Sequence, residues 1–353
     1  MSQNIKQKIQ ELLNQDIEDA DFTKKLKRLS YEQDNLDLRI SESSSFNDAF
    51  NVALKSLDSS NNPESLFPTH FKEIDAEIGG FSPGEFVVLG GRPAMGKTQF
   101  LVNLAMNFSR EIGVLYFSFD LTKETITKRF ISCMTHIPMS NLMQQNLSKE
   151  MNEKVQKAAT KIHQYKLFLN DTCHNSTDAF RAMCKKHIEE NKVKIIFVDY
   201  LQLMSSRRFS RNREMEISQI SRELKMIAND YNVCVIASSQ LSRSVETRGG
   251  DKRPMLSDLR ESGAIEQDAD KVLFIYRPEY YGLTHDEDGE SNSNKVEIIV
   301  AKNRNGALGN AKLKKDTYCT HFSDAHLMSK EFIFAMDRLK ELDDSHSDLD
   351  EKI

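Results

Sequence analysis

Apolar and polar residues follow two patterns along the chain, and the change between them falls near residue 63. In the first part Ile5, Ile9, Leu12 and Leu13 keep helical spacing, and Leu26, Leu29, Leu36 and Leu38 are separated by charges, which predicts two or three helices. The stretch Ser41 to Ser45 breaks this pattern. Ser45 is placed to cap a helix bearing Phe46, Phe50, Ala53, Leu54 and Leu57. The polar cluster Asp58-Ser59-Ser60-Asn61-Asn62-Pro63 then reads as a linker. An apolar stripe on a helix joined by such a linker fits a docking element for a neighbouring subunit, or equally packing on its own domain.

From about Phe67 strands and helices alternate. The apolar runs predict strands at Glu85 to about Gly90, Val114 to Phe119, about Tyr165 to Leu169, Lys194 to Val198, Val233 to Ala237, Val272 to Tyr276 and Val296 to Ala301. Runs so continuously apolar belong to strands covered on both faces, and helical patterns separate most of them. The expected fold class is α/β: a mostly parallel sheet flanked by helices, with an antiparallel extension near its end and a short helical N-terminal segment. The expected division is 1–62 (with a linker helix at about 46–57), 63–330 and an acidic tail at 331–353.

Composition narrows the function. The chain has 353 residues, 39% hydrophobic and 29% charged, with a net charge of -5. Overall basicity therefore gives no argument for nucleic-acid binding, which would need local positive charge. No apolar run approaches bilayer length and the N-terminus is polar rather than signal-like, so a cytoplasmic location is expected. Five cysteines, at 133, 173, 184, 234 and 319, lie far apart and are odd in number. They read as reduced, partly buried thiols rather than a disulfide framework.

The candidate chemistry sits at strand ends. Gly91-Arg92-Pro93-Ala94-Met95-Gly96-Lys97-Thr98 separates an apolar strand from a helical pattern containing Leu101, Leu104, Ala105 and Phe108. Two glycines allow a tight turn that aims N–H groups inward, the following helix adds its positive N-terminal end, Lys97 reaches β- and γ-phosphates, and the Thr98 hydroxyl can hold Mg²⁺. Asp199 ends the strand Lys194 to Val198, where a carboxylate partner for Mg²⁺ and its water is needed. Asp120 follows Phe119 and could align the attacking water or simply cap the helix beginning near Thr122. Gln240 follows another strand and could contact the γ-phosphate. Arg207, Arg208, Arg211 and Arg213 crowd one segment, and Arg243, Arg248, Lys252, Arg253 and Arg260 another; both fit nucleic-acid phosphates or a solvated surface. Lys302 and Arg304 precede Asn305-Gly306 and read as a cationic turn or, in an assembly, as groups offered to an adjacent subunit's γ-phosphate.

Five motifs, in order, resemble the DnaB family of replicative DNA helicases: the phosphate loop at Gly91, Val198-Asp199-Tyr200-Leu201-Gln202-Leu203-Met204, Ser239-Gln240-Leu241-Ser242-Arg243-Ser244, Ser257 to Asp270, and Lys302-Asn303-Arg304-Asn305-Gly306. The resemblance covers about Phe67 to Phe322. It implies a RecA-like motor domain in a hexameric homo-oligomeric ring, using ATP and Mg²⁺ and holding single-stranded DNA, with 5′ to 3′ movement and a helicase loader as a further partner. Residues 91–99 would bind nucleotide and Thr98 and Asp199 the metal. Gln240 would match the sensor, Lys302 and Arg304 the residues supplied in trans, and Arg260, Glu261 and Gly263 the loop tracking DNA. Arg207, Arg208 and Arg253 are added as DNA contacts from the charge pattern. The helix Phe46 to Leu57 looks like the family's linker helix, which packs on the next subunit.

Two departures stand out. The family has Ser-Leu-Glu-Met where this chain has Ser118-Phe119-Asp120-Leu121, so a shorter carboxylate replaces the catalytic glutamate. About 65 residues precede the motor domain, fewer than the family's N-terminal collar, so primase contact by that route is not expected. Both leave open a second function, an ATP- and DNA-binding scaffold with slow hydrolysis.

Overall fold

The computed structural model describes residues 45–48, 50–51, 54, 66–171, 176–206, 212–259, 263–286 and 289–325, together with Lys25. It forms two compact units, Met1–Pro63 and Glu64–Ile353.

In the first unit residues 46–48, 50, 51 and 54 are helical. The Ser45 hydroxyl accepts the Asp48 N–H at 3.2 Å, which is the cap expected from the sequence. Phe46 and Phe50 rings lie 6.0 Å apart. With Leu54 they form an exposed apolar stripe. The predicted helices before Ser41 and the acidic tail at 331–353 lie outside the described residues.

The second unit opens with α1 (Lys72–Ile78), β1 (Phe86–Gly91), α2 (Lys97–Ser109), β2 (Gly113–Ser118), α3 (Lys123–Thr135), α4 (Met139–Gln144), α5 (Lys149–Ala159) and β3 (Leu167–Asn170). It continues with α6 (Thr177–Asn191), β4 (Val193–Asp199), α7 (Arg213–Tyr231), β5 (Cys234–Gln240), the short α8 (Ser244–Thr247) and α9 (Gly263–Asp268). Four strands close it: β6 (Lys271–Tyr276), β7 (Lys295–Asn303), β8 (Gly309–Lys315) and β9 (Phe322–Asp324).

These strands form one sheet in the order β3-β2-β4-β5-β1-β6-β7-β8-β9. Every pair from β3 to β6 is parallel. The pairs from β6 to β9 are antiparallel. The expected α/β architecture, antiparallel extension included, is thus the observed one. Two strands were not expected: β8 reads Gly-Asn-Ala-Lys-Leu-Lys-Lys and buries alternate residues, and β9 has only 3 residues. A run rich in lysine has no continuous apolar signal, because one of its faces stays wet.

Alternation along the central strands feeds two cores. Val87, Leu89, Ile195 and Phe197 face Phe100, Leu104 and Phe108 of α2 and Phe130 of α3. Phe86, Val88, Ile196 and Val198 face Phe180 of α6 and Ile220, Leu224 and Ile227 of α7. Each such side chain contributes about 1.5–3 kcal/mol on burial, so both faces of the sheet centre are held by packing.

The strand starts are pinned by buried charge. Lys271 Nζ sits 2.5 Å from Glu85 Oε1, and Glu85 also accepts the Ser82 N–H. Asp270 accepts the Phe86 N–H at 2.8 Å and pairs with Lys225 at 2.6 Å. These contacts fix where β1 and β6 begin, and so where β1 ends.

Candidate active site

The parallel strands β1, β2, β4 and β5 all point their C-terminal ends to one edge of the sheet, where helix N-termini and loops leave a crevice. Gly91 is the last residue of β1, one position further than the sequence suggested. Gly96 caps α2 with φ 96°, in the left-handed region that favours glycine. A Cβ there would lie 3.2 Å from Cys319 Sγ. The first intrahelical bond of α2 runs from Phe100 N–H to Gly96 O at 2.8 Å. The N–H groups of Lys97, Thr98 and Gln99 precede it, so the helix start presents donors to an anion.

Lys97 lies back over the loop, donating to the carbonyl oxygens of Gly91 at 2.8 Å and Arg92 at 3.1 Å. Burial brings its pKa down to about 8, opposed by the Asp199 carboxylate and helped by Arg92. A half-buried ammonium whose hydrogen bonds go to carbonyl oxygens has donors suited to a polyphosphate. The pH dependence follows. In the nucleotide-free protein Lys97 loses its proton as pH rises through about 8, while binding needs the ammonium. Affinity for a triphosphate should therefore weaken above that pH, approaching about tenfold per unit. Titrating a fluorescent ATP analogue between neutral pH and about pH 9.5 checks this; affinity flat across the range would place the lysine charge outside the binding step.

Asp199 ends β4 and is 4% exposed. Ser238 Oγ on β5 donates to its Oδ1 at 2.6 Å and Tyr116 Oη on β2 to its Oδ2 at 3.1 Å. Burial first, and then Asp199, push the Tyr116 phenol well above its usual range, so it remains a donor. Each carboxylate oxygen is held by one hydroxyl and keeps acceptor capacity, which suits a magnesium ion shared with the Thr98 hydroxyl.

Asp120 lies two residues beyond β2, on the strand paired directly with β4 through Ser118 and Asp199. Ser118 Oγ donates to Leu121 O at 2.7 Å and Phe119 N–H to Asp199 O at 2.9 Å, which tightens this turn. The cap of α3 is Thr122, whose hydroxyl accepts the Thr125 N–H at 3.3 Å. The capping alternative for Asp120 is thereby removed. Its carboxylate is exposed and, among the described residues, has no hydrogen-bond donor. Gln240 ends β5 with its Cα opposite Gly91, and is exposed.

Several expected contacts differ in kind. Arg92 is 7% exposed and its guanidinium binds Glu246 and Leu241 O, both at 2.8 Å. Gln99 Nε2 donates to Thr320 O at 2.8 Å, and Met95 is buried in the core. These three side chains are engaged within the fold, and the backbone N–H groups of the loop are what Arg92 and Gln99 are best placed to offer a phosphate. Pro93 and Ala94 are exposed at the loop tip. Arg253 pairs with Glu297 and lies 5.2 Å over the Tyr276 ring, so its charge is already committed. Arg207, Arg208, Arg260 and Glu261 lie outside the described residues; Gly263 opens α9.

Lys302 and Arg304 stand at the other edge of the sheet. Lys302 is opposite Val272, itself opposite Val88, and the Arg304 N–H donates to Asp270 O at 2.9 Å, beside the start of β1. That is five residues before Gly91, roughly 16 Å along the strand. Lys302 Nζ donates to the carbonyls of Glu266, Gln267 and Ala269 at 2.5, 3.3 and 2.7 Å, closing the C-terminus of α9. Burial, then Arg304, lowers its pKa. Arg304 Nη1 pairs with Asp270 at 3.3 Å and its Nη2 donates to Gln267 O.

Some supporting residues escaped the sequence reading. Tyr116 and Ser238 sit inside apolar strands and look like core positions. Arg129 of α3 shows a weak 3.4 Å bond to Gln99 Oε1 and a buried Nε without a partner among the described residues. Its signal was present: Ile126, Phe130 and Cys133 form the buried stripe of α3, and Arg129 is three residues past Ile126, on that stripe.

Fold and site together define a RecA-like nucleotide-binding domain. Residues 67–324 match the model of the DnaB-like helicase C terminal domain. The chain belongs to that family. It is 42% identical over 258 residues to a probable replicative DNA helicase of Trieres chinensis, covering 72% of this chain and 56% of that protein. It is 40% identical over 281 residues to the replicative DNA helicase DnaB of Rickettsia typhi, covering 72% and 56%. A solved DnaB-like replicative helicase, described with its interactions with primase, superposes with a TM-score of 0.76 at 32% identity, over 91% of this chain and 74% of that one. The chain spans 56% of the length of these two relatives. No described helix is long and apolar enough to cross a membrane.

Proposed function

We propose that this chain is the ATP-driven motor of a replicative DNA helicase, working as a hexameric ring that moves 5′ to 3′ on single-stranded DNA. The observation that carries the reading is the division of its machinery between two edges of one sheet. Lys97, Thr98, Asp199, Asp120 and Gln240 gather at the C-terminal ends of the strands, while Lys302, level with Val88, and Arg304, beside the start of β1, are tied down toward the opposite edge. A second copy, docked edge to edge, would complete each site, and a closed ring gives every copy one complete site.

In this reading Lys97 and the first turn of α2 hold the phosphates, and Gln240 meets the terminal one. Thr98 and Asp199 would hold a magnesium ion, which when bound would supply positive charge against the transferring phosphoryl group. Asp120 aligns and deprotonates the attacking water. Arg304 and Lys302 of the neighbour stabilise the charge that develops on the terminal phosphate. Arg207, Arg208, Arg260, Glu261 and Gly263 contact DNA. Arg253 is left out of this set, since Glu297 and Tyr276 already occupy it.

The proposal is tested with sized oligomers of the purified chain on forked DNA. DNA-stimulated hydrolysis and unwinding by the ring are expected; their absence from every oligomer rejects the motor. Asp120→Glu extends the carboxylate by one methylene, on the order of 1.5 Å, and a misplacement of about 1 Å can cost roughly a hundredfold. The variant should raise kcat by about tenfold or more, whereas Asp120→Asn should lower it by about 10² or more. Slow wild-type turnover that Asp120→Glu leaves unchanged would favour the scaffold instead.

A further inference from the structure

Strand β4 turns out of the sheet before its neighbour β5 does. Their pairing stops at Val198 and Ala237, yet β5 continues to Gln240 beside β1. Neighbouring residues of a strand direct their N–H and C=O groups to opposite sides. Leu241 N–H is donated to Gly91 O at 3.4 Å, so the peptide groups of Gln240 face the side that β4 has vacated. A side chain fills it. In the 3-10 turn Leu201–Leu203, Gln202 Oε1 accepts the Gln240 N–H at 3.2 Å and Gln202 Nε2 donates to Gln240 O at 3.3 Å. Nε2 also donates to Ser239 Oγ at 2.9 Å. One side-chain amide, with one donor and one acceptor side by side, thus reproduces a strand partner for one residue.

The turn bearing Gln202 is itself anchored. Arg213 Nη2 donates to the Gln202 backbone carbonyl. Arg213 Nη1 lies 2.5 Å from Glu216, whose other oxygen accepts the Ser206 N–H at 3.0 Å. Glu216 is 7% exposed. Gln240, by contrast, is exposed at a strand tip, where among the described residues β1 and Gln202 hold its backbone.

We propose that Gln202 is a positioning residue for ATP hydrolysis: its amide stands in for β4 and fixes the backbone from which Gln240 meets the terminal phosphate. The inference rests on the reading of Gln240 given above. It makes no contact with nucleotide necessary for Gln202 itself.

Three variants, Gln202→Met, Gln240→Ala and the pair combined, test it as assembled rings with steady-state ATPase measurements. Gln202→Met keeps the length of the side chain and removes its amide. It should lower kcat by about tenfold or more with the KM for ATP within about twofold, because the loss belongs to the transition state. The double variant should match Gln240→Ala within about twofold, since Gln202 acts only through Gln240. Losses that multiply, or a change confined to KM, overturn the proposal. If Gln202→Met melts early, Gln202→Asn, which retains the amide but retracts it, serves in the same cycle with the same two outcomes. A wild-type ring without ATPase activity would instead refute the proposed motor, whereas an active wild type with multiplying losses refutes only the role of Gln202.

Discussion

Rings assembled from equal parts of Arg304→Ala and Lys97→Ala subunits should hydrolyse ATP faster than rings of either variant alone. Each parent should be nearly inactive: loss of an arginine supplied in trans costs about 10³–10⁵ in kcat. In a random mixture about one interface in four joins an intact phosphate loop to an intact Arg304, so a measurable fraction of wild-type activity returns. The geometry behind this is the position of Arg304 beside the start of β1, with its N–H on Asp270 O. Its ties within its own chain are no obstacle. The Arg304 side chain is 46% exposed and its bond to the buried Asp270 is 3.3 Å long, while Asp270 keeps Lys225 as its nearer cation at 2.6 Å, so releasing Arg304 does not strand that carboxylate. For the same reason Arg304→Ala should melt within a few degrees of the wild type. A mixture no more active than its parents would place the arginine outside the reaction.

Lys97→Ala should abolish ATP binding and unwinding and, in the absence of nucleotide, should make the protein more stable. The two effects have one origin. The half-buried lysine lies against the Gly91 and Arg92 carbonyls with its pKa brought down from 10.5 to about 8. At neutral pH the folded chain therefore carries a charge it disfavours by roughly 3 kcal/mol relative to the unfolded chain. The sign is fixed by linkage: a lysine whose folded pKa is depressed destabilises fully below about pH 8, and the penalty fades as pH rises toward 10.5. Alanine removes it, which should raise the melting temperature by several degrees, at about 2–4 °C per kcal/mol for a domain of this size. Adding ATP should stabilise the wild type and leave the variant unmoved. Thermal scans with and without ATP and magnesium check both halves. A variant that melts lower than the wild type would mean that Lys97 is there for the fold and not for phosphate.

Both predictions depend on features of different legibility. Ser45 could be read as a cap because its signal is local: a short polar side chain before an apolar helical stripe. The Gly91 to Thr98 loop was legible because each residue type meets one demand of a phosphate. Asp199 was found by its place after an apolar run. Asp120 could be found but not assigned, since a carboxylate before a helix caps or catalyses equally well on paper. Thr122 occupies the cap, which removes the capping role and leaves the catalytic one as a proposal. Arg92, Gln99 and Arg253 were assigned from neighbourhood and charge. The partners that reassign their side chains, Glu246, Thr320 and Glu297, are separated from them by 154, 221 and 44 residues.

What the sequence determined by itself is what short-range periodicity and residue chemistry can encode: the parallel α/β core, the phosphate loop and the carboxylates at strand ends. The tertiary structure decided the rest. It set the strand order that brings Asp199 between Tyr116 and Ser238, and the early exit of β4 that leaves Gln202 to hold Gln240. It also set the level of Arg304, five residues below Gly91 on the neighbouring ladders. These depend on register and on which strands adjoin, and both are fixed by packing between segments far apart in the chain. No local pattern carries them.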